Sequence, residues 1–238
     1  MYLKVSSIVI AAIAIIASLG FLLFFTSYWE PVGWVGLWAY VGVMIAIFGA
    51  LLLVAMKMGV EKSPLKTIDF AIIAMFVALM TVVDFGSMFV PGLSVLWYAI
   101  PQIAGAVLFY FPLGIAMAAA LKLSPKPGSA FTLILVYSII GQVFFFNPIW
   151  FARSIIAALA IEAFYLSSKR GTLTSLTLMG LMFGILYSVT GIIFQIYTWG
   201  YWQPLFVTLP EAVMAGVLMA VGSFLGYALG ERAKTVMY

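Results

Sequence analysis

The sequence contains no cysteine and no histidine, and only 8% of its residues are charged. Disulfide bonds are therefore impossible, and zinc, haem and iron–sulfur sites lose the ligands that they normally use. Catalytic units built on a Ser–His–Asp or a Cys–His set are excluded as well. A G-x-x-x-x-G-K-[ST] loop is also missing, so this chain does not hydrolyse ATP by that route. We expect a protein that is not an enzyme and that binds no cofactor or metal.

The shortage of charge also excludes an ordinary soluble domain, in which about a quarter of the residues are charged. Hydrophobic residues make up 66% of the chain, and apolar runs of about twenty residues follow one another with short polar breaks. Runs such as Ile8 to Ile16 lack the polar–apolar alternation of a transmembrane barrel. The first run is longer than a signal-peptide core and has no evident small-residue cleavage site, so we expect it to be retained. The sequence predicts an all-α, polytopic helical membrane protein.

About eight transmembrane helices are predicted, at residues 5–27, 34–56, 66–88, 94–122, 129–146, 149–167, 173–197 and 204–230. The fourth carries Pro101 and Pro112, so it is either one kinked helix or two shorter ones. With the N-terminus inside, this count places every basic residue except Arg153 in the cytoplasmic segments, as the positive-inside rule requires. The same rule explains the net charge of +4, which therefore does not indicate nucleic acid. We expect a multi-pass protein of the plasma (cell) membrane, surrounded by lipid, with both termini cytoplasmic.

The most polar stretch of the chain, KMGVEKSPLK at residues 57–66, is the best candidate for an internal boundary. It divides the sequence into an N-terminal transmembrane hairpin, residues 1–60, and a six-helix membrane bundle, residues 61–238. The bundle contains every intramembrane charge. We therefore expect the hairpin to be an appendage and the bundle to be the working part.

Small residues recur at helical spacing in two predicted helices of the bundle. Such stripes allow helix backbones to approach closely, because lipid offers no hydrophobic drive for helix association. For the glycines of the last helix we favour packing inside the bundle, whereas the alanines of the third helix are also suited to docking another membrane subunit. The residues are Ala71, Ala74 and Ala78, and Gly222, Gly226 and Gly230.

Arg153 and Glu162 interrupt one apolar run, where charges are expensive. Nine residues separate them, so they face opposite sides of their helix, roughly 13 Å apart along its axis, and are not partners. Arg153 lies near the outer surface at the depth of Asp84 and Glu211, which favours either an ion pair with one of these acids or a ligand site with a mouth to the outside. Glu162 lies deeper and needs a polar partner, which the sequence offers in Gln142 or Gln102, or a ligand.

All seven tryptophans are predicted at the outer ends of helices or in outer loops. Tryptophan commonly anchors a helix at the membrane interface, and this interpretation is favoured for Trp29, Trp34 and Trp38. The alternative is a ring of flat surfaces around a pocket that stacks a planar or cationic ligand. For the others both interpretations stand: Trp97, Trp150, Trp199 and Trp202.

Several short motifs of the bundle resemble the S component, the substrate-binding membrane subunit of energy-coupling factor vitamin transporters. The Ala74–Ala78 pair on the first helix of the bundle is similar to the family's surface for the transmembrane coupling subunit. Further likeness lies in the outer turn 90–93 (VPGL) and in the last helix, with LPEA at 209–212 and GSFLGY at 222–227. The segment 126–130 (KPGSA) is similar to the K-P-G-A-A motif of the hydroxymethylpyrimidine/thiamine subgroup, and Glu162-Ala163-Phe164 to its acidic–aromatic segment. The N-terminal hairpin is a departure from this family.

The resemblance implies a function in uptake. The chain would capture a small planar vitamin or precursor from outside, of the thiamine or hydroxymethylpyrimidine type, while a coupling subunit and two ATPase subunits would supply the energy. Docking would use Ala71, Ala74 and Ala78. The ligand would be bound by Asp84, Trp97, Tyr98, Trp150, Arg153, Glu162, Trp199 and Glu211.

Two other functions remain open on the sequence alone. Low charge, short loops and small-residue stripes also suit a non-catalytic structural or accessory subunit of a larger integral membrane complex. In that case the intramembrane charges would pair across a subunit boundary. An independent secondary transporter is less favoured, because we find no convincing pair of inverted repeats.

Overall fold

The computed structural model describes residues 5–57, 63–89, 106–144, 148–200 and 202–237, and all regular structure within them is helical. A π-helical turn at Ala106–Tyr110 leads into the third helix. The predicted all-α class is confirmed. The helices are α1 (Val5–Lys57), α2 (Thr67–Phe89), α3 (Phe111–Leu123), α4 (Ser129–Phe144), α5 (Pro148–Ser167), α6 (Leu173–Trp199) and α7 (Leu205–Met237).

The first helical segment folds back on itself. Gly33, near its middle, has a φ of +55°, a left-handed conformation that glycine adopts at little cost. The ring centroids of Phe21 and Tyr40 lie 5.0 Å apart, whereas a straight helix would separate these residues by about 28 Å. α1 is therefore a hairpin of two antiparallel arms, Val5–Ser27 and Gly33–Lys57.

Eight apolar helical segments lie in the described part of the chain, and they correspond to the eight predicted spans. Both arms of α1 and segments of α5, α6 and α7 are long and apolar enough to cross a membrane. Three shorter apolar segments accompany them, Thr67–Val83, Val107–Leu123 and Ser129–Val143. The chain is thus a polytopic helical membrane protein, as predicted.

Helix α7 packs closely between α3 and α6 through glycines on both sides. A Cβ atom at Gly226 of α7 would clash with the carbonyl of Ile115 in α3, and one at Gly222 with that of Phe111. On the other side, a Cβ at Gly184 of α6 would lie 2.6 Å from the carbonyl oxygen of Ala215 in α7. The interpretation of the glycine stripe as internal packing is confirmed.

The hairpin α1 packs against α5 and α6 and shares one hydrophobic core with them. The Tyr40 and Thr190 hydroxyls are 3.0 Å apart across this contact. Trp202 donates its indole N–H to the carbonyl of Thr26 at 3.0 Å. The hairpin is therefore built into the bundle rather than appended to it, while the division into 1–60 and 61–238 as domains stays a prediction.

The two ends of the bundle differ in composition. At one, the basic end, Lys126 pairs with Asp69, Lys122 pairs with Glu231, and the Ser6 hydroxyl donates to the carbonyl of Ser167. The opposite end is the tryptophan end, where Trp34 packs on Tyr197, Trp150 on Phe194, and Trp202 on the first arm of α1. The first turn of α1 and the last turns of α7 both lie at the basic end.

Candidate functional site

Helix α5 carries two buried charges at different depths. Arg153 is 8% exposed and lies one turn from Trp150, toward the tryptophan end, whereas Glu162 is 3% exposed and lies toward the basic end. They face different neighbours, as the helical spacing predicts.

The guanidinium of Arg153 is held by a backbone carbonyl and by aromatic rings. Its Nε and Nη2 both donate to the carbonyl oxygen of Tyr187, at 2.9 and 2.6 Å. Nη2 also donates to the Tyr110 hydroxyl at 3.4 Å. The guanidinium carbon lies 3.4 Å from the ring centroid of Tyr187 and 4.8 Å from that of Trp150. Cation–π contact and a carbonyl acceptor thus stabilise this charge inside the membrane.

The expected ion pair between Arg153 and Glu211 is not formed. Within the described part of the chain, the ion pairs are Lys126–Asp69 and Lys122–Glu231. Glu211 on α7 is half-buried and interacts with Arg153 only through longer-range electrostatics. Arg153 therefore binds the backbone carbonyl of Tyr187 instead of the carboxylate that we predicted as its partner. The other predicted acid, Asp84, lies on α2, but its side chain is outside the described residues.

Aromatic side chains surround Arg153 on the faces of α6 and the turn before α3. The ring of Tyr187 stacks on Phe183 at 5.0 Å between centroids and on Phe109 at 6.0 Å. Tyr110 packs edge-on against Phe109 at 4.9 Å. Trp150 is half-buried, edge-on to Phe194. Together with Glu211, these side chains can stack a flat ring and contact it with charges of either sign.

Tyr110 and Tyr187 belong to this site although sequence reasoning missed them. The sequence signal for Tyr187 is Gly191, one turn later on the same helix face. A Cβ atom at Gly191 would lie 2.8 Å from Nη2 of Arg153, so the glycine makes room for the guanidinium against α6. A glycine one turn from a tyrosine, in the helix that follows the one with the buried arginine, is the sequence pattern that would have indicated this site.

Ser188, next to Tyr187, has a buried hydroxyl without a hydrogen-bond partner among the described residues. Its side chain is 2% exposed. The hydroxyl interacts with that of Tyr110, although not with the geometry of an ordinary hydrogen bond. A polar group that is both buried and unpartnered is unusual in a folded protein.

Glu162 caps the N-terminus of α4. Its two carboxylate oxygens accept the backbone N–H groups of Gly128 at 2.6 Å and Phe131 at 2.9 Å. An anion is favourable here because the first N–H groups of a helix lack internal partners and carry the positive end of its dipole. The suggested partner Gln142 is therefore wrong, and Gln102 lies outside the described residues. The geometry gives Glu162 a structural role.

Polar contacts at the basic end explain most of the KPGSA segment. Lys126 pairs with Asp69 at 2.6 Å, and Ser124 donates to Asp69 at 2.8 Å and lies 3.0 Å from the Ser129 hydroxyl. Gly128 has a φ of +85°, which a side chain would strain. The segment joins the start of α2 to α4, and through Glu162 to α5.

The remaining predicted residues divide into two groups. The docking residues Ala71, Ala74 and Ala78 all lie on the exposed face of α2. Trp97 and Tyr98 lie outside the described residues, and the same holds for the side chain of Trp199, the last residue of α6.

Among the residues that the structure describes, no group of three or more acidic side chains is placed to hold a metal ion. Comparison with protein-family models, with curated proteins and with solved structures finds no match to this chain.

Proposed function

We propose that this chain is the membrane-embedded substrate-binding component of an ATP-driven vitamin uptake transporter. It captures a small planar vitamin or precursor, of the thiamine or hydroxymethylpyrimidine type, from outside. The observation that carries this proposal is the cluster at the tryptophan end, where Arg153, Tyr110, Tyr187 and Trp150 combine aromatic faces with a charge and Glu211 lies nearby.

The chemistry of the cluster suits a flat, polar solute. Trp150 is half-buried and offers a ring for stacking, which stabilises planar and cationic ligands. The carboxylate of Glu211 makes no hydrogen bond to the described residues, and it could accept from an aminopyrimidine or offset a thiazolium charge. An intramembrane charge without a direct partner in the described part of the chain is a functional candidate.

Energy for uptake would come from partners, because the chain lacks the phosphate-binding loop of an ATPase. The exposed face of α2 fits the transmembrane coupling subunit of such a system. Ala71, Ala74 and Ala78 lie there beside exposed Met75 and Leu79, and small residues permit close approach of a second helix. Two ATPase subunits would complete the transporter.

The experiment is a thermal melt of the purified full-length chain with thiamine and with hydroxymethylpyrimidine. We expect one of them to raise the melting temperature and Glu211→Gln to abolish that shift. Glu231→Gln is the matched control, because Glu231 lies at the basic end in an ion pair with Lys122. Folded protein that responds to neither compound would contradict the proposal.

A structural or accessory subunit of a larger membrane complex is the second candidate. Besides the alanine face of α2, Gly20, Gly42 and Gly49 of the hairpin have no atom within 4 Å of the place of a Cβ, which leaves room for neighbouring helices. Such a subunit would bind no vitamin and would migrate with one large complex in mild detergent.

A further inference from the structure

We infer that the site at Arg153 recognises an oxyanion on its ligand, a carboxylate or a phosphate ester, through Arg153, Tyr110 and Ser188. This inference rests on the proposed function, since it takes the chain to bind a small planar solute, and it adds the chemical group by which that solute is selected. A phosphorylated or acidic form of the vitamin would then be the preferred cargo.

The Arg153 guanidinium is only partly bonded to the described residues. Nε and Nη2 of Arg153 are committed to the Tyr187 carbonyl and the Tyr110 hydroxyl. The remaining nitrogen, Nη1, donates to no acceptor among the described residues, and Arg153 forms no ion pair there. A charged guanidinium inside a membrane favours an anionic partner, and its planar fork matches the two oxygens of a carboxylate or phosphate.

Two hydroxyls extend this set of donors. The oxygen of Tyr110 accepts from Arg153, so its own proton is directed elsewhere. The Ser188 hydroxyl is buried and interacts with that of Tyr110, but it makes no hydrogen bond of ordinary geometry to the described residues. Leaving such a hydroxyl unpaired costs free energy, which a bound acceptor would recover.

Among the described residues, no ion pair or ordinary hydrogen bond supplies an acceptor for these donors. Nη1 and the Tyr110 and Ser188 hydroxyls offer protons, whereas the carbonyl of Tyr187 is already used by Arg153. An oxyanion accepts from all three donors at once, while a neutral amide or hydroxyl accepts fewer hydrogen bonds and brings a donor of its own. Gly191 keeps the guanidinium in this position, because a side chain there would displace it.

The charge of Glu211 further restricts which ligands the site can bind. It approaches from α7 and interacts with both Arg153 and Tyr110 through its charge. It would repel a ligand with a second anionic group and attract a positive ring, so an oxyanion attached to a cationic or polar ring fits both charges of the site.

The test uses matched ligand pairs that differ only in the oxyanion: thiamine with thiamine monophosphate, and nicotinamide with nicotinate. Binding is measured by melting shift and by calorimetry on the full-length chain. We expect the oxyanion form of at least one pair to bind about tenfold more tightly than its partner. Arg153→Gln should abolish this preference, and Ser188→Ala should reduce it several-fold.

The control is Ser18→Ala, because Ser18 is equally buried but bonds to the carbonyl of Ala14 within the α1 hairpin; its ligand preference should be unchanged. If Arg153→Gln does not fold, Arg153→Lys keeps the charge but loses the fork, and should weaken the preference. Oxyanion forms that bind no more tightly than their partners in both pairs, or a preference that persists in Arg153→Gln, would overturn this inference. Binding of thiamine or hydroxymethylpyrimidine would then leave the proposed function standing. No binding by any of these compounds would overturn both.

Discussion

The two charged residues of α5 show how a buried cation and a buried anion are each stabilised in a membrane protein. Arg153 reaches a backbone carbonyl of the neighbouring helix and lies on aromatic rings. Glu162 reaches the free N–H groups at the start of α4. Each charge therefore binds the backbone group of matching polarity, a carbonyl for the cation and amides for the anion. Neither charge needs an oppositely charged side chain as its partner.

Glu162→Gln tests the capping role directly. Glutamine keeps one acceptor oxygen but turns an amide donor toward an N–H group, so one charge-assisted hydrogen bond is lost. We expect the free energy of unfolding to fall by about 2 kcal/mol, measured by denaturation in detergent without ligand. Glu211→Gln is the matched control on α7, because this carboxylate makes no hydrogen bond to the described residues, and it should change stability by less than about 0.5 kcal/mol. Equal effects of the two substitutions would refute the capping role.

At the scale of helices, α7 is organised by its glycines. Gly222 and Gly226 face α3, and Gly216 faces α6, where a Cβ would lie 2.6 Å from the side chain of Ile185. The exposed positions between them, such as Val217 and Phe224, are large and apolar. Small residues thus lie on the packed faces of this helix, and large apolar residues lie on its exposed face. In a helix of a soluble protein, the large apolar residues face the core instead.

Gly226→Ala should separate α7 from α3. The added methyl group would clash with the backbone carbonyl of Ile115, which cannot rotate away as a side chain can, and we expect a loss of about 2 kcal/mol in unfolding free energy. Gly42→Ala is the control, since no atom lies within 4 Å of its Cβ position. There alanine should raise helix stability by up to about 1 kcal/mol. A Gly226 variant as stable as the Gly42 variant would contradict the observed packing.

The sequence predicts the helices better than the contacts between them. Apolar runs predict eight segments because spanning a membrane demands length and low charge. The glycine spacing predicts internal packing of α7 because only small residues permit close approach. The partners of Arg153 and Glu162 could not be predicted because they are backbone groups far away in the sequence. The carbonyl of Tyr187 is 34 residues from Arg153, and the amide of Gly128 is 34 residues from Glu162. Every residue carries such groups, so no side-chain pattern marks them.

At the scale of the whole molecule, the described lysine contacts and tryptophan contacts lie at opposite ends of the bundle. Lys66, Lys122 and Lys126 meet at the basic end together with the beginning of α1 and the last turns of α7. The Arg153 site lies toward the other end, near Trp150. The positive-inside rule predicts that the basic end faces the cytoplasm, and this orientation would place the Arg153 site toward the outside, as the proposed uptake requires.

The absence of cysteine from the chain makes this orientation measurable with single introduced cysteines. Gln203→Cys, before α7 at the tryptophan end, should react with a membrane-impermeant maleimide in intact cells. Lys169→Cys, in the exposed loop between α5 and α6, should react only after the cells are permeabilised. The parent chain supplies a background without label. The reverse labelling pattern would mean that the Arg153 site faces the cytoplasm, and it would exclude capture from outside. This follows because the two positions lie at opposite ends of one packed bundle, so one cannot change sides without the other.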